Sequence, residues 1–452
     1  MTGKEYIRNA FLLKENERPA WLPFVGCHGA FLTGENAGRY LSSSELIVKG
    51  LNEAIIKYRP DGLPVIFDLQ LEAESLGCRL LFSPSNPPAV VSHPVEEGLS
   101  VEELPVFAEI LRRRDGRLGE ALRAAEIITA QHPEVAFFGL VTGPLTLALH
   151  LMGTTLFTEM FENPDKVKRV MEYCTDVAEL MSEAYVKAGC EVIAVVDPMT
   201  SQIDPLTFEM FVLDNSKRLF AKIRRMNSLS SFFVCGQAEH NLELMAACGP
   251  DNISVDENIP LKEVKRVAEG AGISFGGNLK LTTTLLLGTE EECERDALEC
   301  IDIGGNKGYI LAPGCDLPMS TPVSNLIAVS SLVRDKYRQD VLRNSSVMIS
   351  ADEIPDISSR WITGRAIIDV VTLDSASCAP CSYMMELTNR LLPLFENRVE
   401  IHEHKIKTHE GLAMMKALGV TKIPTICING EPLFISHTPP LSKLADVVTE
   451  RI

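Results

Sequence analysis

Eight short runs of nearly unbroken apolar residues punctuate the chain between residue 21 and residue 313. They read WLPFVGC (21–27), LPVIFDL (63–69), VAFFGLV (135–141), EVIAVVD (191–197), SSFFVC (230–235), NISVD (252–256), ISFGGN (273–278) and GYILAP (308–313). Apart from NISVD, none alternates polar with apolar residues along its length. A strand with one wet face alternates, whereas a parallel strand covered on both faces does not. Most runs are followed by a helical pattern, so this spacing predicts an α/β fold: a (β/α)8 barrel of the TIM type with an insertion after the second strand. An open doubly wound sheet is the alternative, but no GxGxxG follows a strand, which removes the usual dinucleotide signature.

The intervening segments support helices. Residues 163–189 open with Asn163-Pro164-Asp165, placing Pro at the first helical position, and Val167, Val170, Met171, Cys174, Val177, Leu180 and Met181 recur at helical spacing. Residues 206–225 are similarly amphipathic. The stretch 137–157 lacks Asp, Glu, Lys and Arg and is long enough to cross a bilayer. Gly143-Pro144 interrupts it and no basic flank follows, so a buried strand, a turn and a buried helix fit better.

A formal charge of −18 repels phosphate backbones and anionic lipid, so neither nucleic acid nor a membrane surface is an expected partner. The first residues resemble no signal peptide, and a cytoplasmic location is expected. There the 12 cysteines read as core residues, metal ligands or redox centres.

After residues 1–340 comes a polar linker, 341–365, and then a second pattern over 366–452. It runs strand (366–373), Cys378-Ala-Pro-Cys381, helix, strand (399–406), helix (409–418), Ile423-Pro424, two strands and a helix (441–451). The first thiol opens a helix, where exposed N–H groups and the dipole favour thiolate. Residues 366–452 resemble a minimal thioredoxin- or glutaredoxin-like domain. The resemblance makes Cys378 the attacking thiol, Cys381 the buried resolving thiol and Pro424 the cis-proline facing them. Ser377 stands where thioredoxin has Trp. A docking domain with an idle thiol pair, or half of a zinc site, remain as alternatives.

The barrel segments AGRYLSSSE (37–45), PVIFDLQLEAESLGCRLLF (64–82), VTGPLTLALHLMG (141–153), YVKAGCEVIAVVDP (185–198), GGNLK (276–280) and GYILAPGCDLPMSTPVSNL (308–326) resemble the uroporphyrinogen decarboxylase superfamily. That superfamily includes the decarboxylases of haem synthesis and the zinc-dependent methylcobamide:thiol methyltransferases. For the decarboxylase, the resemblance implies a cationic cleft. Arg39 matches one family arginine, but Glu35 stands at the other, and Cys315 replaces a family histidine. Asp68 matches the catalytic aspartate, and His150 stands at a family tyrosine.

For the methyltransferases, the resemblance implies zinc held by His-x-Cys after the fifth strand and Gly-Cys after the eighth. Cys235 and Cys315 occupy both cysteine positions, while Phe233 replaces the histidine. The third ligand would then be His150, His28, Asp197 or Glu239. Each has a plainer alternative: His150 as a core histidine, His28 as a turn residue, Asp197 as a cap of the following helix, Asp68 as a structural hydrogen-bond acceptor. Cys174, Cys190, Cys248, Cys293 and Cys300 read as core.

Three functions follow as expectations. One is zinc-assisted methyl transfer between a corrinoid carried on a partner protein and a small-molecule thiol, with Asp68 or His150 orienting the acceptor. Another is decarboxylation of a porphyrinogen (a tetrapyrrole substrate) by Asp68 and Arg39. The last is a non-catalytic redox or corrinoid-binding partner. Members of the superfamily often form homodimers.

Overall fold

A computed structural model describes residues 1–344, 355, 357, 360, 364–376, 378–395 and 398–452. Most of the expected linker 341–365, and Ser377, lie outside these residues. The chain divides into two units, Met1–Leu342 and Arg343–Ile452.

The first unit is built on eight strands: β1 (Ala20–Trp21), β2 (Gly62–Pro64), β3 (Ala136–Thr142), β4 (Val192–Val196), β5 (Leu229–Val234), β6 (Asn252–Val255), β7 (Ser274–Leu279) and β8 (Tyr309–Pro313). They form one sheet in the order β1-β8-β7-β6-β5-β4-β3-β2, and every pairing is parallel. The gap between β1 and β2 is spanned by the Asp61 N–H, which donates to the Trp21 carbonyl at 2.8 Å. The Asp61 carboxylate accepts from the Trp21 N–H at 2.7 Å and pairs with Arg18. The sheet is thus a nearly closed barrel. Successive side chains of a strand point to opposite faces, and the inner set recurs at intervals of two. Ala136, Phe138 and Leu140 of β3, Val192, Ala194 and Val196 of β4, and Ile310 and Ala312 of β8 share one buried cluster with Leu22, Phe24, Phe67 and Phe233.

The apolar stretch 137–157 is resolved as expected into β3, Gly143 and a helix, Pro144–Met152, with Pro144 in its first turn. Among the described residues no helix is long and apolar enough to cross a membrane. The helix expected over 163–189 spans Pro164–Lys187. The one expected over 206–225 is not continuous: Pro205–Phe208 passes through a π-helical turn, Glu209–Leu213, into Asp214–Arg225. There the Asn215 amide donates to the Phe211 carbonyl at 2.8 Å while its oxygen accepts from Thr175, a side-chain competition with the main-chain ladder that hydropathy spacing does not register. The insertion after β2 carries a short antiparallel pair, Leu80–Leu81 with Ala89–Val90.

The second unit contains β9 (Ala366–Thr372), β10 (Val399–Lys405), β11 (Thr425–Ile428) and β12 (Glu431–Ile435) in the order β10-β9-β11-β12. β9 and β10 are parallel, and the other pairings are antiparallel. Helices Ala379–Asn389, His409–Ala417 and Leu441–Thr449 complete a β-α-β-α-β-β-α order, with a short Leu392–Phe395 turn before β10. Asn429 and Gly430, at φ 50° and 81°, join β11 to β12 in the left-handed conformation that a two-residue hairpin requires. Ile368, Val370, Met384, Ile426, Phe434 and Leu444 are buried together beneath the sheet. The Ile423–Pro424 peptide is cis.

Candidate functional site

In a parallel barrel the loops after the strands gather at one mouth, where chemistry is placed. Cys235 follows β5 and Cys315 follows β8. Their sulfur atoms lie 2.7 Å apart although 80 residues separate them. Both are half-buried and pack on the top of the barrel cluster. Cys235 gets there by periodicity, because it continues the column Ser231, Phe233. Beneath it Phe233 meets Phe24 and Phe67, with ring centroids 5.1 and 6.0 Å away. An aromatic floor thus lies where a His-x-Cys motif would place imidazole. The hydrogen bond from Cys235 favours thiolate at Cys315, but burial and the neighbouring Asp316 charge outweigh it and hold the Cys315 thiol above its ordinary range.

Two carboxyl groups that the sequence reading passed over flank this pair. Asp256 continues the inward column Asn252, Ser254 of β6. Its Oδ2 accepts from the Gly236 N–H at 2.5 Å, beside Cys235. Glu257 accepts from the Leu281 N–H through Oε1, while its buried Oε2 has no protein partner. That carboxyl lies against Gly314, beside Cys315, where a Cβ would come within 2.1 Å of Oε2. Burial raises the proton affinity of both groups, and at Glu257 the Asp256 charge adds to it. Gln70, Gln202 and Gln237, after β2, β4 and β5, each carry a buried side-chain oxygen without a protein donor. Buried polar atoms left this way call for water or a ligand.

The four candidates for a third metal ligand do not join the cysteines. His28 is buried, with Nδ1 2.9 Å from the Met319 carbonyl and Nε2 2.6 Å from the Tyr58 hydroxyl. Nδ1 therefore donates and Nε2 accepts, which occupies both ring nitrogens of a neutral imidazole. Burial lowers its pKa to about 4. Asp197 accepts from the Leu145 N–H at 3.1 Å and from the Thr146 N–H and hydroxyl at 2.9 and 2.6 Å. It caps the helix after β3, across the barrel rim, and not the helix that follows it in sequence. Burial raises its pKa to about 6, against the pull of those bonds. His150 lies inside that helix; burial, and then His93, lower its pKa to about 3, and its Nδ1 has no protein partner. Glu239 is exposed. Among the described residues no group of three or more His, Cys, Asp or Glu is placed to hold a metal ion. Asp256 and Glu257 flank the two thiols but are not grouped with them at metal-holding distance, so the residues as placed do not fit the zinc that the family implies.

A family model described as uroporphyrinogen decarboxylase (URO-D) matches residues 6–336. The chain belongs to the uroporphyrinogen decarboxylase family. Within it, the chain is 30% identical over 293 residues to the methylcobamide:CoM methyltransferase MtaA of Methanosarcina barkeri, covering 63% of this chain and 83% of that one. It is 28% identical over 270 residues to the methylcobamide:CoM methyltransferase MtbA of Methanosarcina acetivorans (59% and 77%), and 26% identical over 303 residues to the uroporphyrinogen decarboxylase of Anaeromyxobacter sp. strain Fw109-5 (64% and 85%). The solved structure of a methyltransferase from Methanosarcina mazei superposes with a TM-score of 0.68 at 24% identity, over 74% of this chain and 98% of that chain, which shows the TIM-type fold of the barrel. The barrel is that of a methyltransferase-like enzyme of the URO-D family.

Two residues carried over from the family sit differently from one another. Asp68, after β2, is buried. Its Oδ1 accepts from the Gln70 N–H at 2.9 Å and its Oδ2 pairs with Arg117. Arg117 also donates to Glu74 at 2.8 Å, lies 5.3 Å from the Phe82 ring centre, and keeps Nη2 without a protein partner. This arginine, inside the helix Gly116–Gln131, was invisible as a site residue because nothing local marks it. Glu72, in the short helix Leu71–Ser75 that follows Asp68, accepts from the Thr142 N–H and hydroxyl, and burial raises its pKa to about 7. Arg39 is exposed and pairs with Glu35 at 2.9 Å, so the carboxylate at a family arginine position neutralises the arginine that was kept.

In the second unit, Cys378 precedes the helix Ala379–Asn389 as its N-cap residue, with Pro380 in the first turn. Cys381 is fully buried and accepts from the Leu373 N–H at 3.3 Å. Burial and then Cys378 drive its pKa far upward. Asp369, in the middle of β9, accepts from His404 at 2.7 Å and from Arg360.

Proposed function

We propose that the barrel transfers a methyl group between a methylcobamide, presented on a corrinoid protein, and a small-molecule thiol. The observation that carries this reading is the convergence of Cys235 and Cys315 at the barrel mouth, in a chain similar to methylcobamide:CoM methyltransferases. In the thiol-methylating direction the acceptor loses its proton and its sulfur attacks the methyl carbon. The carbon–cobalt bond breaks and cobalt keeps the electron pair. Buried carboxyls with raised proton affinity, Asp256 and Glu257, flank the mouth and can take the thiol proton. The unpartnered oxygens of Gln70, Gln202 and Gln237 suit a ligand rich in N–H or O–H donors. No step is assigned to zinc, because among the described residues no third side chain is grouped with the two thiols at metal-holding distance.

Decarboxylation of a polycarboxylate is less well served, since Arg39 is exposed and already paired with Glu35. The deciding assay follows demethylation of methylcobalamin spectroscopically with 2-mercaptoethanesulfonate and other small thiols as acceptors. Transfer that is lost in Cys315→Ala is expected. Transfer undiminished from that of the unaltered chain in both Cys235→Ala and Cys315→Ala would end this reading.

We further propose that residues 366–452 are a thioredoxin-like dithiol domain. Support comes from the β-α-β-α-β-β-α order, from Cys378 at a helix N-terminus and from the buried Cys381. Cys378→Ser is expected to abolish dithiol–disulfide turnover on a small disulfide. Turnover that persists in that variant removes the assignment.

A further inference from the structure

We infer that Cys235 and Cys315 form a second thiol–disulfide exchange centre at the barrel mouth, whose substrate is a low-molecular-weight disulfide. The geometry separates two uses of a thiol pair. Two thiolates on one tetrahedral zinc, each about 2.3 Å from the metal, hold their sulfurs roughly 3.8 Å apart. Here the separation is 2.7 Å, shorter than that span by about 1 Å and closer to the bond length of about 2.05 Å in a disulfide. The donor set points the same way. The side chain two residues before Cys235 is Phe233, held between Phe24 and Phe67, and among the described residues none of His28, His150, Asp197, Glu239, Asp256 and Glu257 is grouped with the pair at metal-holding distance. The pair is half-buried, so a small oxidant reaches it, whereas Cys27, Cys78, Cys174, Cys190, Cys248, Cys293 and Cys300 in the same unit are buried.

The exchange balances without a metal. One mouth thiol loses its proton and attacks a sulfur of the small disulfide. That gives a mixed disulfide and releases one small thiol. The second mouth thiol, in contact with the first, then loses its proton and attacks the protein-side sulfur. The Cys235–Cys315 bond forms, and the second small thiol leaves with the proton. Two protein thiols are oxidised and one disulfide is reduced to two thiols. A small dithiol runs the sequence backwards.

The test uses the full chain carrying Cys378→Ser and Cys381→Ser, which silences the other pair, beside the unaltered chain. Each is exposed to graded oxidised glutathione without corrinoid, alkylated, digested and mapped by mass spectrometry. Expected in the silenced chain is the loss of two thiols, a cross-linked peptide pair containing Cys235 and Cys315, and full reversal by dithiothreitol, with two further thiols lost in the unaltered chain. Cys315→Ser should yield glutathionylated Cys235 in place of the cross-link. Two outcomes overturn the inference: separate alkylation of both cysteines at every oxidant level, or one zinc per chain, retained through purification, that blocks the cross-link. Neither readout follows methyl movement, so failure here leaves the methyl-transfer reading standing, and the reverse also holds.

Discussion

Replacing Asp197 by Asn tests whether burial or a neighbouring cation dominates the titration of this helix-capping carboxyl, since the two give pH dependences of opposite sign. In the folded barrel its carboxyl titrates near 6 because burial penalises the charge, against an ordinary value of 3.8. The folded state therefore takes up the proton first as pH falls. This stability is complete below 3.8 and is lost as pH rises through 6. Integrated between pH 7.5 and pH 5, it makes the unaltered barrel about 1.4 kcal/mol more stable at the acid end. Asp197→Asn removes that slope. It also costs about 1–3 kcal/mol independently of pH, since one amide oxygen can serve Thr146 but an N–H2 then faces the Leu145 N–H. The assay is guanidinium unfolding at both pH values, followed by fluorescence of Trp21, which is fully buried in β1, in a Trp361→Phe background. A carboxylate serving a cation has a lowered pKa, and the barrel would then lose stability on acidification. That sign, or a variant with the same slope as the parent, refutes the assignment of a burial-dominated titration to Asp197.

Arg117→Met strands the buried Asp68 carboxylate and is expected to cost about 3–5 kcal/mol, read as a lowered melting temperature, with Asp68→Asn in the same chain recovering part of the loss. Gly143→Ala places a Cβ 2.2 Å from that of Asp197 and should destabilise the barrel by roughly 1–3 kcal/mol in the same unfolding assay. Phe233→His restores a nitrogen ligand two residues before Cys235 and is expected to raise zinc retention against a competing chelator by roughly tenfold or more, measured by elemental analysis. Unchanged zinc content would show that the inward column Ser231, Phe233, Cys235 does not face the mouth as described.

Sequence by itself located the eight strands in chain order, although β1 and β2 are only Ala20–Trp21 and Gly62–Pro64 where strands over 21–27 and 63–69 were expected. A strand covered on both faces tends to be apolar throughout, and β3, β4 and β8 announce themselves in that way, whereas β5 and β6 bury Ser231, Asn252 and Ser254. It also placed Cys235 and Cys315 at strand ends and Cys378 at the start of a helix, because those positions follow from local periodicity and local helix signals. Asp256 was legible by the same period of two that carries Asn252 and Ser254 inward, although a carboxylate ending a strand reads equally well as a solvated turn. Only the tertiary structure decided the partners. Arg117 reaches Asp68 from a helix 49 residues away, Asp197 caps a helix it does not precede, and His28 spends both nitrogens on Tyr58 and Met319. Hydrogen bonds and desolvation depend on which groups meet when the barrel curls round, and that meeting is a property of the closed sheet and not of any window along the chain.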